Sequence, residues 1–411
     1  MTFLNTFSTV LMLTLFACYS YQALYLVLPL FHRLKPDGIP QCTRYAVLIA
    51  ARNEEAVLPH LLQSIALQDY PQDLITTYVI ADNCTDNTAA VAAAGGAKVF
   101  QRFNTCQVGK GYALHYLLEQ MRLEGELERY DAFLIFDADN LLQSDYIRQI
   151  NLVRSQGYDV FCGYRNSKNF GSSWISSGHA LWYLHESAHL NQSRMLLGNC
   201  CTVSGTGFGF TRQLLDRIGG WNFFTLTEDI EFRTWCATHG ITIGYCHDAV
   251  LYDEQPVTFT LSWRQRIRWV QGGIQVSLGY AGDYVRGILK GGRTGWASFE
   301  SATGSLWGCC LSAFSFLIRM LAVGSAGHWP ALREMLLSAL LASYFSLFLM
   351  GLLTMALEHR RIRATRAQKI LSLVTYPFFL LSYLPISIAA IFSKRQWKPI
   401  AHTVAISMDQ L

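Results

Sequence analysis

The 411 residues are 51% hydrophobic and only 15% charged, with a net charge of +4 and a mean hydropathy of +0.20. Soluble globular chains are nearer a quarter charged, so the composition excludes disorder, a collagen-like fibre and a small disulfide scaffold, and points to a chain partly dissolved in lipid. So small a charge leaves no nucleic-acid footprint, and eleven cysteines without a CxxC pair read as reduced, mostly buried thiols in a cytosolic or lipid setting.

Thr2 to Phe31 carries no charge. A bilayer core of about 30 Å needs roughly 20 apolar residues, so residues 1–35 are expected to be an uncleaved transmembrane anchor. The flank His32, Arg33 and Lys35 puts its C-terminal side in the cytoplasm. Residues 36–262 lack any sustained apolar run and are expected to form a cytoplasmic domain.

Within that domain Tyr45–Ala51 (YAVLIAA) reads as a strand buried on both faces. Asn53–Gln68 has helical apolar spacing through Val57, Leu61, Leu62 and Ile65. Thr76–Ala81 is a second strand, Asp86–Ala94 a helix closed by Gly95-Gly96, and Ala97–Gln101 a third strand. Gly109–Met121 is a helix, and Ala132–Phe136 a fourth strand ending in Asp137-Ala138-Asp139. Alternation of this kind implies a mostly parallel α/β sheet with helices on both faces, whose ligands bind beyond the carboxyl ends of the strands. Arg52/Asn53/Glu54, Asp82/Asn83 and Asp137/Asp139 should therefore share one rim.

Each polar cluster has a structural and a chemical reading. Two carboxylates at i and i+2 past a strand end, Asp137 and Asp139, can grip a hard divalent cation that also takes phosphate oxygens. Asp82 can accept from a base N–H, whereas Thr85 or Asp86 is expected to cap the next helix. Thr227-Glu228-Asp229 precedes a helix over Ile230–Thr238. Thr227 can cap that helix, and an acid at its N-terminus can serve as general base. Gln265-Arg266-Ile267-Arg268-Trp269, beside Trp263 and Arg264, reads either as a basic interfacial helix or as a guanidinium and indole platform for a diphosphate and a sugar.

Three motifs carry less. His185-Glu186-Ser187-Ala188-His189 matches H-E-x-x-H, but Gln192 and Met195 replace the residues a third zinc ligand would require. Gly109-Lys110-Gly111 lacks the upstream glycine of a phosphate loop, since Asn104 stands there. Gly205-Thr206-Gly207-Phe208-Gly209 reads as a close-packed loop.

Residues 263–299 form an expected interfacial amphipathic region, and 300–411 a C-terminal set of apolar segments. These are Ser301–Ile318, Met335–Leu357 and Ile370–Ser393, with a basic loop at His359–Arg363 and a basic tail, Lys394-Arg395-Gln396-Trp397-Lys398. Both flanks of the last segment favour the same side, and Pro377 and Pro385 lie inside it, so a re-entrant hairpin and a span are both open.

Taken in order, A-R-N-E-E at 51–55, Asp82, G-K-G at 109–111, D-A-D at 137–139, S-G-T-G at 204–207, T-E-D at 227–229 and Q-R-I-R-W at 265–269 resemble the family 2 glycosyltransferases. The likeness is to the membrane-embedded branch with cellulose, chitin and hyaluronan synthases, and covers roughly residues 42–275. It implies a GT-A fold, a Rossmann-like mixed and mostly parallel sheet in the cytoplasm with α-helical transmembrane segments. It also implies a UDP-sugar site at Ala51, Arg52, Glu54, Asp82, Lys110 and Asp137, and Mg²⁺ or Mn²⁺ on Asp137 and Asp139. Asp229 with Glu228 matches the catalytic base, and Gly205, Thr206, Gln265, Arg266, Arg268 and Trp269 match the groups around acceptor and diphosphate.

The implied activity is inverting transfer to a growing β-linked polysaccharide or glycan at the cytoplasmic face of the plasma membrane by a multi-pass protein. Alternatives are single transfer to a lipid, as in ceramide glucosyltransferases, and, distantly, a zinc protease at His185 and His189. The chain departs from the large synthases in having only about four apolar stretches and no F-x-V-T-x-K-G-like loop, so a narrow pore, a pore completed by dimerisation in a homo-oligomer, and no pore at all are all compatible. Trp397-Lys398-Pro399-Ile400 is expected at the membrane surface near the acceptor path.

Overall fold

The computed structural model describes residues 2–32, 39–304, 306–324, 329–394 and 402–411. The basic flank at Arg33 and Lys35 and the tail Arg395 through Ile400 lie outside the described residues.

Among the described residues eight strands form one sheet: β1 (Tyr45–Ala51), β2 (Ile75–Asp82), β3 (Lys98–Arg102), β4 (Ala132–Asp137), β5 (Leu141–Leu142), β6 (Val160–Ser167), β7 (Phe208–Thr211) and β8 (Ile243–Asp253). Their order is β3-β2-β1-β4-β7-β6-β8-β5. β3, β2, β1 and β4 pair in parallel, as do β6 and β8, while β7 runs antiparallel between β4 and β6 and β5 runs antiparallel to β8. The carboxyl ends at Ala51, Asp82, Asp137, Ser167 and Asp253 consequently share one edge.

Both faces of the sheet are packed, which is why its strands read as unbroken apolar runs. Alternate side chains separate cleanly. Ala46, Leu48, Tyr78, Ile80, Phe133 and Ile135 enter the core under the Lys110–Leu123 helix. Val47, Ile49, Val79, Leu134 and Phe136 enter the core under Leu58–Ala66 and Tyr146–Ser155. Each such residue is fully buried, and truncating Phe136 to alanine should cost about 3–5 kcal/mol.

Three local expectations change. The first helix starts at Leu58 rather than Asn53, because Asn53 takes a left-handed turn (φ 58°) and Glu54 N–H donates to Thr88 Oγ1 at 2.8 Å. The second starts at Thr88, whose N–H and hydroxyl both donate to Asp86. Phe208 and Gly209 belong to β7 rather than to a loop, since Phe208 pairs with Ile135 and Gly209 with Leu134.

Among the described residues four helices are long and apolar enough to cross a membrane: Thr6–Phe31, Trp307–Gly324, Trp329–Glu358 and Arg366–Phe392. The eleven cysteines are all free, but only Cys162, Cys200, Cys201, Cys236 and Cys246 are buried. Cys309 and Cys310 are exposed on an apolar helix, where lipid rather than protein core accounts for an apolar thiol.

Candidate active site

The rim is organised around Lys110, the first residue of the Lys110–Leu123 helix. Its Nζ donates to Asp137 at the end of β4 and to the Gly205 carbonyl at 2.7 Å. The Asp137 N–H donates to Thr206 Oγ1 at 3.0 Å and to Asn140 Oδ1 at 3.1 Å, and the Thr206 hydroxyl donates to Asn140. Ser204 is held on both sides, its hydroxyl donating to Glu186 and its carbonyl accepting from Arg165. These bonds fix the loop at 204–206, and Gly205 sits in it with φ +81°. A Cβ at Gly205 would lie 3.4 Å from Oδ2 of Asp229. At Gly111 a Cβ would meet the Phe223 carbonyl at 2.1 Å, so only glycine lets the Lys110 helix approach the segment leading into Glu228 and Asp229.

Glu228 and Asp229 open the Glu228–His239 helix, where exposed N–H groups favour anions. Burial pushes Glu228 up to about 7, with the Asp229 charge adding to the rise and Lys110 opposing it. Burial also raises Asp229, against the Ile230 N–H and Lys110. Lys110 stays charged although burial disfavours its ammonium, because Asp137, Glu228 and Asp229 outweigh that effect. Thr227 occupies the N-cap position but makes no capping bond through its side chain. Its methyl and hydroxyl instead lie against Gly272.

On the other side of the rim Asp139 is buried, and its Oδ2 accepts from the Glu254 N–H at 3.0 Å. Asp253, at the end of β8, is gripped by Arg165 and accepts from Gln255 Nε2 at 3.0 Å. Burial pushes Asp253 up to about 6, with Arg165 opposing and Asp139 adding. Glu54 is likewise raised by burial, although His402 at 2.9 Å works against the shift. Burial disfavours the His402 imidazolium, yet Asp139 and Glu54 carry it up to about 10. Asp137 and Asp139 offer carboxylate oxygens alone, a donor chemistry that fits a hard divalent cation.

At the far side of the sheet Asp82 is buried and accepts from Arg102 Nη1 at 2.7 Å. Ala51 is buried at the end of β1, and Arg52 begins the turn that follows. Asn83 repeats the left-handed geometry of Asn53 (φ 54°), so tight asparagine turns follow both β1 and β2. Such turns store strain at functional edges.

The Gln265–Trp269 motif divides. It lies on the helix Phe259–Gly279. Arg268 is among the groups that hold Glu228 down, and its Nε is buried without a partner, as is Gln265 Oε1. Trp269 packs edge-on against His179 and Tyr183, at 5.6 and 6.5 Å between ring centroids. Arg266 is different. It is fully buried, donates to the Phe379 carbonyl at 3.1 Å and to Ser382 Oγ at 2.7 Å, and lies over the Phe379 and Tyr383 rings. Its Nη1 is thus taken by the C-terminal helices, while its Nε and Nη2 are buried with no hydrogen-bond partner among the described residues.

His185 and His189 are buried with ring centroids 5.2 Å apart. His189 Nδ1 lies 2.8 Å from the Leu26 carbonyl, Glu186 is taken up by Ser204, and a π-helical turn begins at Glu186. Among the described residues no group of three His, Cys, Asp or Glu is placed to hold a metal unaided. A zinc protease site needs such a group, whereas a cation shared with a diphosphate does not.

Sequence reasoning missed Arg165, Asp253, Glu254 and His402. Asp253 carried the same signal that singled out Asp82 and Asp137, an acid closing an apolar strand. His402 lies far along the chain and carried none.

A profile of the family described as "Glycosyltransferase like family 2" matches residues 40–272. Beta-monoglucosyldiacylglycerol synthase of Synechocystis sp. is 28% identical over 250 residues, which are 57% of this chain and 48% of that protein. Poly-beta-1,6-N-acetyl-D-glucosamine synthase of Staphylococcus epidermidis is 26% identical over 235 residues, 56% of this chain and 55% of that one. The chain spans about half the length of the curated relatives it matches. The solved structure of a mannosyltransferase from Pyrobaculum calidifontis, in complex with GDP-Man and Mn²⁺, aligns with a TM-score of 0.58 over 91% of this chain and 98% of that chain. At 18% identity that likeness is one of fold.

Proposed function

Because the chain belongs to the family 2 glycosyltransferases and has the GT-A fold, we propose that it transfers a sugar from a UDP-sugar, with inversion, to an acceptor hydroxyl at a membrane face. The observation that carries this reading is the convergence of Lys110, Asp137, Gly205 and Asp229 at one rim of the sheet.

In this reading Ala51, Arg52, Glu54 and Asp82 border the nucleoside, and Lys110 and Arg268 hold the diphosphate. Asp139, with Asp137 beside it, would hold Mg²⁺ or Mn²⁺. The cation would offset charge on the departing diphosphate. Asp229 takes the acceptor proton as the new bond forms between the acceptor oxygen and the anomeric carbon. The bond from that carbon to the phosphate oxygen breaks on the opposite face, and UDP leaves with its electrons. Glu228 keeps Asp229 basic by placing a second acid beside it. Charges fixed before the reaction need little reorganisation during it, which is where such a site gains most. Trp269, half-buried, offers a ring against which an acceptor sugar can rest.

The acceptor reading taken from the synthase-like motifs is a β-linked glycan. A single transfer to a lipid is the second reading, favoured by the apolar helices beside the site and by relatives named for making a glucosylated diacylglycerol. UDP release by detergent-solubilised protein against a panel of UDP-sugars, with Mg²⁺ or Mn²⁺, tests the donor. Mass analysis of the product separates a polymer from a monoglycosylated lipid. No UDP release from any donor by folded protein would reject the proposal.

A further inference from the structure

Arg366–Phe392 has the length and apolarity of a membrane span, but it meets the rest of the protein at its start, middle and end, whereas Thr6–Phe31 and Trp329–Glu358 meet the sheet domain towards their C-terminal ends, at Tyr25 and Leu26 and at Thr354 and Glu358. It consists of two helices, Arg366–Leu381 and Tyr383–Phe392, meeting at Ser382. At its start Gln368 Nε2 donates to the Gly171 carbonyl at 2.9 Å, beyond the carboxyl end of β6. In its middle Phe379 lies against Gly178 and His179, and Arg266 holds both the Phe379 carbonyl and Ser382. At its end Gln271 Nε2 donates to the Ala390 and Ser393 carbonyls at 3.1 and 3.0 Å. Start and middle rest on the sheet domain, and middle and end on the Phe259–Gly279 helix.

The flanks agree. Before this pair, Arg361 Nη1 donates to the His247 carbonyl at 3.0 Å, and Ile362 is buried in the domain core. After it, His402 meets Glu54, and the Thr403 and Val404 N–H groups donate to the Glu254 carboxylate. A segment whose two flanks lie on one side of a bilayer crosses it an even number of times. A helix pair held to the domain at its midpoint has no arm left to cross and return.

Its faces are those of an element lying in an interface. Ser372, Tyr376, Phe379, Ile386 and Ala390 are buried, whereas Leu371, Phe378, Leu384, Ile388, Ile391 and Phe392 are 55–84% exposed. Of its most apolar stretch 28% is buried, against 6% for Trp329–Glu358.

We propose that Arg366–Phe392 is not a span but a roof laid over the carboxyl edge of the sheet, with its apolar outer face in the lipid interface on the domain's own side of the membrane. The chain then crosses the bilayer through Thr6–Phe31, Trp307–Gly324 and Trp329–Glu358, and the C-terminal residues share a compartment with the sheet domain. A four-span chain would place them in opposite compartments.

The test uses the full chain with a green fluorescent protein or alkaline phosphatase fused after Leu411, expressed in a bacterial inner membrane. The two reporters are active on opposite sides. The domain is located separately by an impermeant maleimide on the exposed thiol Cys106, read as the difference between wild type and Cys106→Ser with and without permeabilisation. We expect the reporter and Cys106 to fall in one compartment, with Cys106 labelling at least fivefold greater after permeabilisation and only the fluorescent fusion active. Reporter and Cys106 in opposite compartments would overturn the proposal. Neither readout uses sugar transfer, so the result stands apart from the enzymatic reading.

Discussion

Nη1 of Arg266 lies 2.7 Å from Oγ of Ser382, the residue at which one C-terminal helix gives way to the next. Arg266 therefore acts as a clamp between the Phe259–Gly279 helix and the C-terminal roof. Arg266→Ala should lower the melting temperature in detergent, since a hydrogen bond to a charged group is worth about 1.5–3 kcal/mol. Arg268→Ala, two residues on, should leave the melting temperature unchanged and reduce kcat. Equal effects of the two substitutions on stability would contradict this division.

Asp229→Asn should bind UDP with near wild-type affinity and lose about 10²–10⁴-fold in turnover, the usual contribution of a positioned base. Calorimetry of UDP binding beside a UDP-release assay separates the two quantities. A variant keeping a third of the wild-type rate would remove Asp229 from the base role.

Burial raises both carboxyls of the Glu228/Asp229 pair, Glu228 to about 7. A base must be ionised, so kcat/KM should fall as pH drops and Asp229 takes up a proton, at a pH above the ordinary aspartate range. Glu228→Gln removes the like charge beside Asp229 and should move this acidic limb to lower pH. A limb that stays in place or moves upward would show that Glu228 is not the group acting on Asp229.

Gly205 has φ +81°, and Asp229 stands 3.4 Å from where its Cβ would be. Gly205→Ala forces an L-residue into the left-handed region at about 1–2 kcal/mol. The loop should shift away from Asp229, so activity should fall more than tenfold while the melting temperature drops by only a few degrees. Gly205→Asn tolerates this backbone better and should fold closer to wild type, which isolates the contribution of the side chain against Asp229.

Chelation by EDTA should abolish transfer, and Mn²⁺ or Mg²⁺ should restore it. Asp139→Ala should raise the metal concentration needed for half-maximal rate. A rate indifferent to EDTA would place the diphosphate charge on Lys110 and Arg268 alone.

The strands β1, β2 and β4 were legible because each is an unbroken apolar run closed by a polar residue, and that pattern also found Asp82, Asp137 and Asp139. The start of the Leu58–Ala66 helix was not legible, because Asn53 and Glu54 lie in a turn fixed by partners across the rim, Thr85 and Thr88, which helical periodicity does not record. Arg266 and Arg268 look alike in sequence, and only the fold separates the one that reaches Ser382 from the one that acts on Glu228. His402 reaches Glu54 across 348 positions, a distance over which local spacing carries no information.

β7 runs against its neighbours β4 and β6, so the end of that strand nearest the reaction centre is its beginning. The loop carrying Ser204, Gly205 and Thr206 therefore arrives at the rim before its strand forms, unlike the loops that leave β1, β2 and β4. Upstream, Cys200, Cys201 and Val203 are buried in the core and the Cys201 N–H donates to the Ile243 carbonyl of β8, while Phe208 and Gly209 anchor the far end, so the loop is held at both of its ends. A shift of this loop would therefore be felt directly at Lys110 and Asp137, through the Gly205 carbonyl and the Thr206 hydroxyl.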